Sequence, residues 1–346
     1  MARRTSTEQS GAGARAGRPR SSREAERRER GEGGERGRAA ERPWNIPRSG
    51  WRDVFVRVKG ELARDNTSLT AAGVAFYALL AIVPALAALV AIYGLVADPA
   101  QVEQQIDAMA GVVPSAVQDV LGSQLRRLSQ QSAGSLSLAM AAGLVVSLVS
   151  AMKGVKALIT SMNIAYDEEE QRGFLRLNAV ALGLTVAGIV IGVLVLALVA
   201  VLPAVLGVVG LQGWTETLIS LVRWPVLLGV ALLALMALYR YGPSRDRPRW
   251  SWVTPGALAG TVIWVLGSAL FSIYVSNFGS YNETYGSLGV VVILLLWLWV
   301  SAYCVLLGAE LNAELEHQTR RDTTAGAPEP LGARGAHVAD HVGKSP

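Results

Sequence analysis

Residues 252–316 read WVTPGALAGTVIWVLGSALFSIYVSNFGSYNETYGSLGVVVILLLWLWVSAYCVLLGAELNAELE, two long apolar runs around one polar connection. The runs from Val253 to Val275 and from Leu288 to Leu307 are each long enough to cross a hydrocarbon core of about 30 Å, which takes roughly 20 helical residues. Both are therefore predicted membrane helices. The connection from Ser276 to Gly286 leaves room for a tight hairpin and little else, so the two helices are expected side by side and antiparallel. The second ends in Gly308-Ala309-Glu310-Leu311-Asn312-Ala313-Glu314, with acid and amide where lipid gives way to water.

Composition extends this reading to the whole chain. Hydrophobic residues make up 51% and charged residues only 17%. Residues 1–64 hold seventeen Lys or Arg against nine Asp or Glu, an excess of eight where the full chain has five, so the remainder is slightly acidic. This balance describes a polytopic membrane protein with a basic tail. A basic tail suits anionic lipid headgroups or nucleic acid. Residues 1–43 mix Gly, Ser, Glu and Arg without an aromatic, which reads as a disordered, solvated segment that fixes topology. Anionic headgroups are its expected partner, and no specific nucleic acid is expected. The N-terminus is polar for dozens of residues, so the first apolar segment is expected to direct insertion itself. The lone cysteine, Cys304, permits no intrachain disulfide.

Within residues 44–66, Trp51, Val54, Phe55, Val58 and Leu62 fall at helical spacing opposite a charged face. The spacing predicts an amphipathic helix in the membrane interface; the alternative is a helix packed on the protein's own cytosolic face. Residues 67–316 form the membrane domain, with six spans near 69–96, 135–160, 175–202, 218–239, 253–275 and 288–310. Pro84 is expected to kink the first span. Between spans one and two, short amphipathic helices separated at Val113-Pro114 predict a small helical cap outside the membrane. Lys and Arg cluster at one set of ends: the N-tail, Lys153, Lys156, Arg172, Arg176, Arg240, Arg245, Arg247, Arg249, Arg320 and Arg321. The opposite ends carry only Arg126, Arg127 and Arg223, which places both termini in the cytoplasm. Residues 317–346 read as a second disordered tail.

Signals for catalysis are absent from the linear sequence. The three histidines, His317, His337 and His341, all fall in the C-terminal tail, where solvation is expected over ligation. No GxxxxGK[ST] loop and no Gly-x-Ser-x-Gly elbow occurs. The chain is therefore read as no enzyme, with no catalytic residue, no cofactor and no metal.

Polar residues in or beside spans are better candidates, because burying them in lipid is costly and they usually face a bundle interior or a water-filled path. Lys153 and Lys156 lie inside the cytoplasmic end of span two; Glu310 and Glu314 lie four apart at the cytoplasmic end of span six. One reading pairs Lys153 or Lys156 with Glu310, joining spans two and six; in the other, both lysines snorkel to headgroups. The acidic run Asp167-Glu168-Glu169-Glu170 invites a cation-site reading, but is expected to be the first turn of the following helix, answering its dipole, with Arg172 available for pairing. On the outer face Asn277, Tyr281, Asn282, Glu283 and Tyr285 either meet a solute at a pathway mouth or simply turn the hairpin, with Gly279 and Gly286 supplying turn geometry. Small residues at Gly256, Gly260 and Gly267, and at Gly183, Gly188 and Gly192, point to close helix packing.

Four blocks resemble the YihY or BrkB family of six-span bacterial inner-membrane proteins, once labelled ribonuclease BN. They are Ala75-Phe76-Tyr77-Ala78-Leu79-Leu80 with Pro84; Asn163, Tyr166 and Arg172-Gly173-Phe174; Tyr239-Arg240-Tyr241 with Pro243 and Pro255-Gly256-Ala257; and Tyr274 through Gly289, continuing to Leu307-Gly308-Ala309-Glu310-Leu311-Asn312. The resemblance covers roughly residues 51–316. It implies an all-α integral membrane protein of the bacterial plasma membrane whose activity is unsettled, with membrane lipids as partners. It adds Tyr77, Pro84, Asn163, Tyr166, Arg172, Asn277, Tyr281, Asn282, Tyr285, Gly286 and Asn312 as positions of interest. A transporter or permease-like role for a small solute or lipid, without ATP, is the expectation; a structural or envelope-integrity role is the alternative. The nuclease label is set aside, because the linear sequence offers no metal cluster. Oligomeric state is open.

Overall fold

The computed structural model describes residues 36–96, 133–196, 198, 214–277 and 287–344. Their regular structure is helical, with no strand among the described residues beyond an isolated bridge between Pro248 and Thr324. In chain order the α-helices are α1 (Arg48–Arg64), α2 (Thr67–Val96), α3 (Ala133–Ala165), α4 (Phe174–Leu196), α5 (Trp214–Tyr241), α6 (Trp250–Asn277), α7 (Ser287–His317) and α8 (His337–Asp340). Among the described residues five stretches are long and apolar enough to cross a membrane: Val145–Ala165, Phe174–Val195, Leu221–Tyr241, Trp250–Val275 and Val291–His317. In helix α2, whose side chains are described only as far as Ile82, the stretch Thr67–Ile82 is apolar. Several expectations lie outside the described residues: the outer cap, the polar turn with Tyr281, Asn282, Tyr285 and Gly286, the first 35 residues, and the side chains of Pro84 and Asn277.

The α6–α7 pair is antiparallel, as partner numbers fall while residue numbers rise. Gly256 lies beside Gly308 and Asn312, Gly260 beside Cys304, and Gly267 beside Val300. Trp264 donates its indole N–H to Ser301 Oγ at 2.9 Å. Glycine is required at the tightest point: a Cβ on Gly256 would sit 2.0 Å from the Gly308 carbonyl oxygen, and one on Gly308 would sit 2.4 Å from the Tyr239 hydroxyl. Three helices meet there, because Tyr239 of α5 donates to the Val305 carbonyl of α7 at 2.8 Å. Small residues thus let backbones approach where lipid supplies no drive for association. Gly183, Gly188 and Gly192 do otherwise. Among the described residues nothing lies within 4 Å of where their Cβ atoms would be, so the expectation of close packing through them is corrected to that extent.

Three hydroxyls inside the bundle are satisfied along their own helices. Ser161 bonds the Ala157 carbonyl, Thr185 the Ala181 carbonyl and Thr261 the Ala257 carbonyl, each at 2.7–2.8 Å. This back-bonding keeps polar groups tolerable in an apolar setting. The buried core, including Ile159, Met162, Tyr166, Tyr239, Val253, Leu306 and Ala309, gathers toward the end that carries both tails. Away from it, α4 turns Val186, Ile189, Val190 and Val193 outward.

Helix α1 packs on the protein. Val54 and Val58 are buried with Trp252, Leu311 and Leu315, and Trp51 and Leu62 pack against them, while Phe55 faces outward. Two boundaries need correction. Arg38, inside the segment expected to be disordered up to residue 43, is fixed in place: its guanidinium donates to the carbonyls of His317 at 3.2 Å and Gly343 at 2.6 Å. Residues 317–344, read from composition as a disordered tail, are folded onto the same end of the bundle. Gln318 and Thr323 are buried, Thr319 donates to the Ala40 carbonyl at 2.7 Å, and Arg334 bonds the carbonyls of Arg320, Arg321 and Ala339. The order comes from guanidinium groups satisfying backbone carbonyls, which leaves no apolar period to read. Asp322 adds to it; burial opposes its charge, but amide hydrogen bonds from Glu329 and Thr324 outweigh that and lower its pKa.

Candidate functional site

The basic end concentrates the polar residues singled out from sequence. Two interhelical loops are clamped together there. Asn163, near the end of α3, accepts from the Ser244 backbone N–H at 2.8 Å and donates to Glu170 Oε2 at 3.1 Å. Arg172 forks onto both Glu170 oxygens at 2.7 Å and donates to the Gly242 carbonyl at 2.8 Å. Burial alone would raise the Glu170 carboxyl, but hydrogen bonds from Arg172 and Asn163 outweigh it and hold the pKa at about 2. The acidic run is therefore a loop clamp rather than the first turn of α4, which begins at Phe174 with no acid in its first turn.

Beneath the clamp lies a buried ion pair. Arg245 and Glu316, with side chains 1% and 0% exposed, meet at 2.7 Å. The Arg245 guanidinium also sits 4.9 Å from the Tyr166 ring centroid, and Thr323 Oγ1 donates to Glu316 at 2.6 Å. Burial opposes the Arg245 charge; Glu316 outweighs it through charge and hydrogen bonding and raises the pKa, so the group stays a cation. Asn312, fully buried, accepts from the Gly256 N–H at 2.7 Å and donates to the Val253 carbonyl at 3.2 Å. It thereby fastens α7 to the first turns of α6, next to Pro255.

The expected pairing of Lys153 or Lys156 with Glu310 is not formed. Lys156 donates to Asn178 Oδ1 at 2.6 Å, close to the Phe174 ring, and Lys153 is exposed. Glu310 instead shares a hydrogen bond with Asp65, in the turn between α1 and α2. Two carboxyls bond only when one carries a proton. The rotation of α3, set by burying Ile159 and Met162, turns Lys156 toward α4 and away from α7. Tyr77 lies half exposed, edge-on to Phe76, where α2 passes Gly154 of α3.

A cavity of about 780 Å³ opens between α4 and α5 at the same end. Its charged lining is Arg172, Arg176, Arg240, Arg245, Arg247 and Asp246; Val180, Leu184, Ala187 and Ala237 form its apolar wall. Arg172 and Arg245 are committed to Glu170 and Glu316, whereas Arg176, Arg240 and Arg247 have no carboxylate within 4.0 Å among the described residues. Arg240 lies over Trp250 at 4.6 Å and Arg247 over Tyr241 at 5.0 Å, so aromatic faces hold two of these cations in place. In the linear sequence Arg176 and Arg247 mark topology, and Arg240 also belongs to a block of family resemblance. Their convergence follows from the pairing of the 171–176 and 240–247 segments, which no local pattern announces. Chemically, the cavity offers cations beside an apolar wall, the complement of an anion carrying apolar substance.

Residues 58–331 match the family described as Virulence factor BrkB. The ribonuclease-like protein YfkH of Bacillus subtilis is 34% identical over 198 residues, 56% of this chain and 70% of that one. A UPF0761 membrane protein of Alteromonas mediterranea is 29% identical over 276 residues, 76% of this chain and 88% of the relative. One from Albidiferax ferrireducens is 26% identical over 271 residues, 78% of this chain and 64% of the relative. No solved structure matches.

Proposed function

For this chain, which belongs to the virulence factor BrkB family of membrane proteins, we propose a transporter or permease-like role in moving a small anionic solute or an anionic lipid without ATP. The observation that carries the proposal is the arginine-lined cavity between α4 and α5, with Arg176, Arg240 and Arg247 free of carboxylate partners among the described residues. Basic pockets between spanning helices on the cytoplasmic side suit anionic headgroups. The apolar wall suits acyl chain or lipid flank, and the bulk solvent side admits a phosphate or carboxylate. The proposal includes six spans in a bacterial plasma membrane with both termini cytoplasmic. Support for the orientation comes from the Lys and Arg asymmetry and from the packing of the segments before α2 and after α7 on one end of the bundle. The name ribonuclease-like belongs to YfkH; hydrolysis is not part of this proposal.

The test is flux in proteoliposomes, comparing anionic and zwitterionic fluorescent lipids and a panel of small anions. Wild-type protein is expected to move an anionic species faster than empty vesicles, and the Arg176→Gln/Arg247→Gln double variant to lose that selectivity while remaining folded. Flux equal to empty vesicles across the panel would sink the transport reading. It would favour the second reading, a structural membrane protein. That reading draws on the close-packed α5–α6–α7 junction, where Gly256, Gly308 and Tyr239 leave no path.

A further inference from the structure

Three segments far apart in sequence meet at the basic end: the turn after α3, the last residue of α7 and the first residue of α8. Asp167, His317 and His337 each present one ligand-capable atom, and the three atoms lie within 4.8 Å of one another. We propose that these residues form a binding site for a divalent transition-metal ion of the zinc class. The site ties the C-terminal segment to the loop between α3 and α4.

The strongest support is the state of His317. It is 8% exposed, its Nδ1 lies 3.4 Å from Glu314 Oε1, and its Nε2 is buried with no hydrogen-bond partner among the described residues. An imidazole that gives one nitrogen to a carboxylate and keeps the other free is the arrangement of a metal-ligating histidine; the carboxylate sets the tautomer and orients the ring. Glu314 is itself anchored, through contact with Arg57 Nε and a 3.0 Å hydrogen bond from Arg57 to its carbonyl. His337 Nδ1 lies 3.8 Å from Asp167 Oδ2. The His337 backbone N–H donates to Glu168 Oε1 at 2.7 Å, which pins the start of α8 to the same turn. His341 stacks on His337 with ring centroids 4.1 Å apart and directs its Nδ1 to the His337 carbonyl at 3.0 Å. It braces the ring from behind.

Two imidazoles and one carboxylate favour zinc and its first-row neighbours over magnesium or calcium, which take oxygen ligands. Around zinc, with bonds of about 2.0–2.2 Å, tetrahedral ligand atoms stand roughly 3.4 Å apart. The 3.8 Å gap between Asp167 and His337 closes to that by small side-chain rotations. Their side chains are 52% and 42% exposed, so the ion's fourth position is open to water. Asp167 adopts φ +52°, the left-handed region that Asp and Asn tolerate. Gly335, two residues before His337, lines the arginine cavity and accepts from the Asp246 N–H at 3.0 Å. The ion thereby holds a segment at the cavity's edge, whatever that cavity carries. Histidines scattered along the chain come within reach of one another because the three segments pack together.

The test uses full-length protein in detergent with Zn²⁺ alone, its stoichiometry read by elemental analysis after gel filtration and its affinity by competition with a chromogenic chelator. One zinc per chain is expected, with a rise in unfolding temperature on binding. Asp167→Asn and His337→Gln are each expected to weaken binding by more than the roughly 10–100-fold that a lost outer-shell partner costs. His341→Gln is expected to retain it. Asparagine keeps the shape of aspartate and its tolerance of left-handed backbone, so loss in Asp167→Asn with an unchanged zinc-free unfolding temperature reports ligation. No retained zinc in the wild type overturns the proposal. So does binding that ignores Asp167→Asn but vanishes in His341→Gln, which would mark chelation by the exposed pair on α8.

Discussion

The α6–α7 contact offers two glycines on one helix with opposite expectations. Alanine favours helix over glycine by about 1 kcal/mol at either position. At Gly267 the new methyl meets Val300 Cγ1 at 3.4 Å and Cys304 Sγ at 3.9 Å, ordinary contacts, so Gly267→Ala is expected to be neutral or stabilising by up to about 1 kcal/mol. At Gly256 the methyl would lie 2.0 Å from the Gly308 carbonyl oxygen and 2.5 Å from the Asn312 amide. Neither obstacle is a free side-chain end: one is backbone, the other is held by two hydrogen bonds. The helices must part by more than 1 Å, a strain of about 1–3 kcal/mol typical of overpacking. The two Asn312 bonds weaken as well, at about 1 kcal/mol each. Set against the gain in propensity, Gly256→Ala is expected to destabilise by roughly 2–4 kcal/mol. Denaturant titration in mixed micelles, followed by tryptophan fluorescence, measures both variants. Equal stability of the two, within about 0.5 kcal/mol, would refute the claim that Gly256 sets the helix separation.

Three further outcomes follow from the basic end. Glu170, held at about 2 against an ordinary 4.5, contributes stability that is fully present above about 4.5 and is lost as pH falls toward 2. The shift corresponds to about 3 kcal/mol at most, which solvent exposure of the pair reduces to roughly 1–2. Thermal unfolding of wild type and Glu170→Gln should therefore converge below pH 4, and parallel profiles would contradict the clamp. For the buried Arg245–Glu316 pair, Arg245→Met or Glu316→Gln alone should destabilise by about 3–5 kcal/mol, with Arg245→Met/Glu316→Leu recovering part of that in the same titration. At Asp65 burial raises the carboxyl, only partly offset by the bond with Glu310. The stability of the protonated form is present below the ordinary value of 3.8 and is lost as pH rises through the raised one. Asp65→Asn should flatten the profile and match or exceed wild type at pH 7; a strongly destabilised variant at that pH would show that Asp65 works as an anion.

Much of the fold could be read directly. The apolar lengths of α3 to α7 are a local property, because a lipid-crossing helix must satisfy its own backbone and shed charge along about 20 residues. The hairpin of α6 and α7 followed from the short connection, and Gly256, Gly260 and Gly267 correctly marked its seam. Asn163, Tyr166, Arg172 and Asn312 do converge at one end of the bundle. Their partners were not legible: Glu170 and Ser244 for Asn163, Arg245 for Tyr166, and the α6 backbone for Asn312 all lie across loops and helices.

By itself, then, the sequence determined the class of protein and which segments are helices, since hydrophobic length and charge asymmetry act residue by residue. Tertiary structure alone decided which charges meet. Lys156 turned to Asn178 and Glu310 to Asp65, because helix rotation is set by packing of the whole bundle. The segment from 317 to 344 folded without an apolar pattern, because carbonyls and guanidinium groups distant in the chain satisfy one another. Three arginines met at a cavity and Asp167 met two histidines for the same reason. A site made of long-range contacts has no local periodicity to announce it.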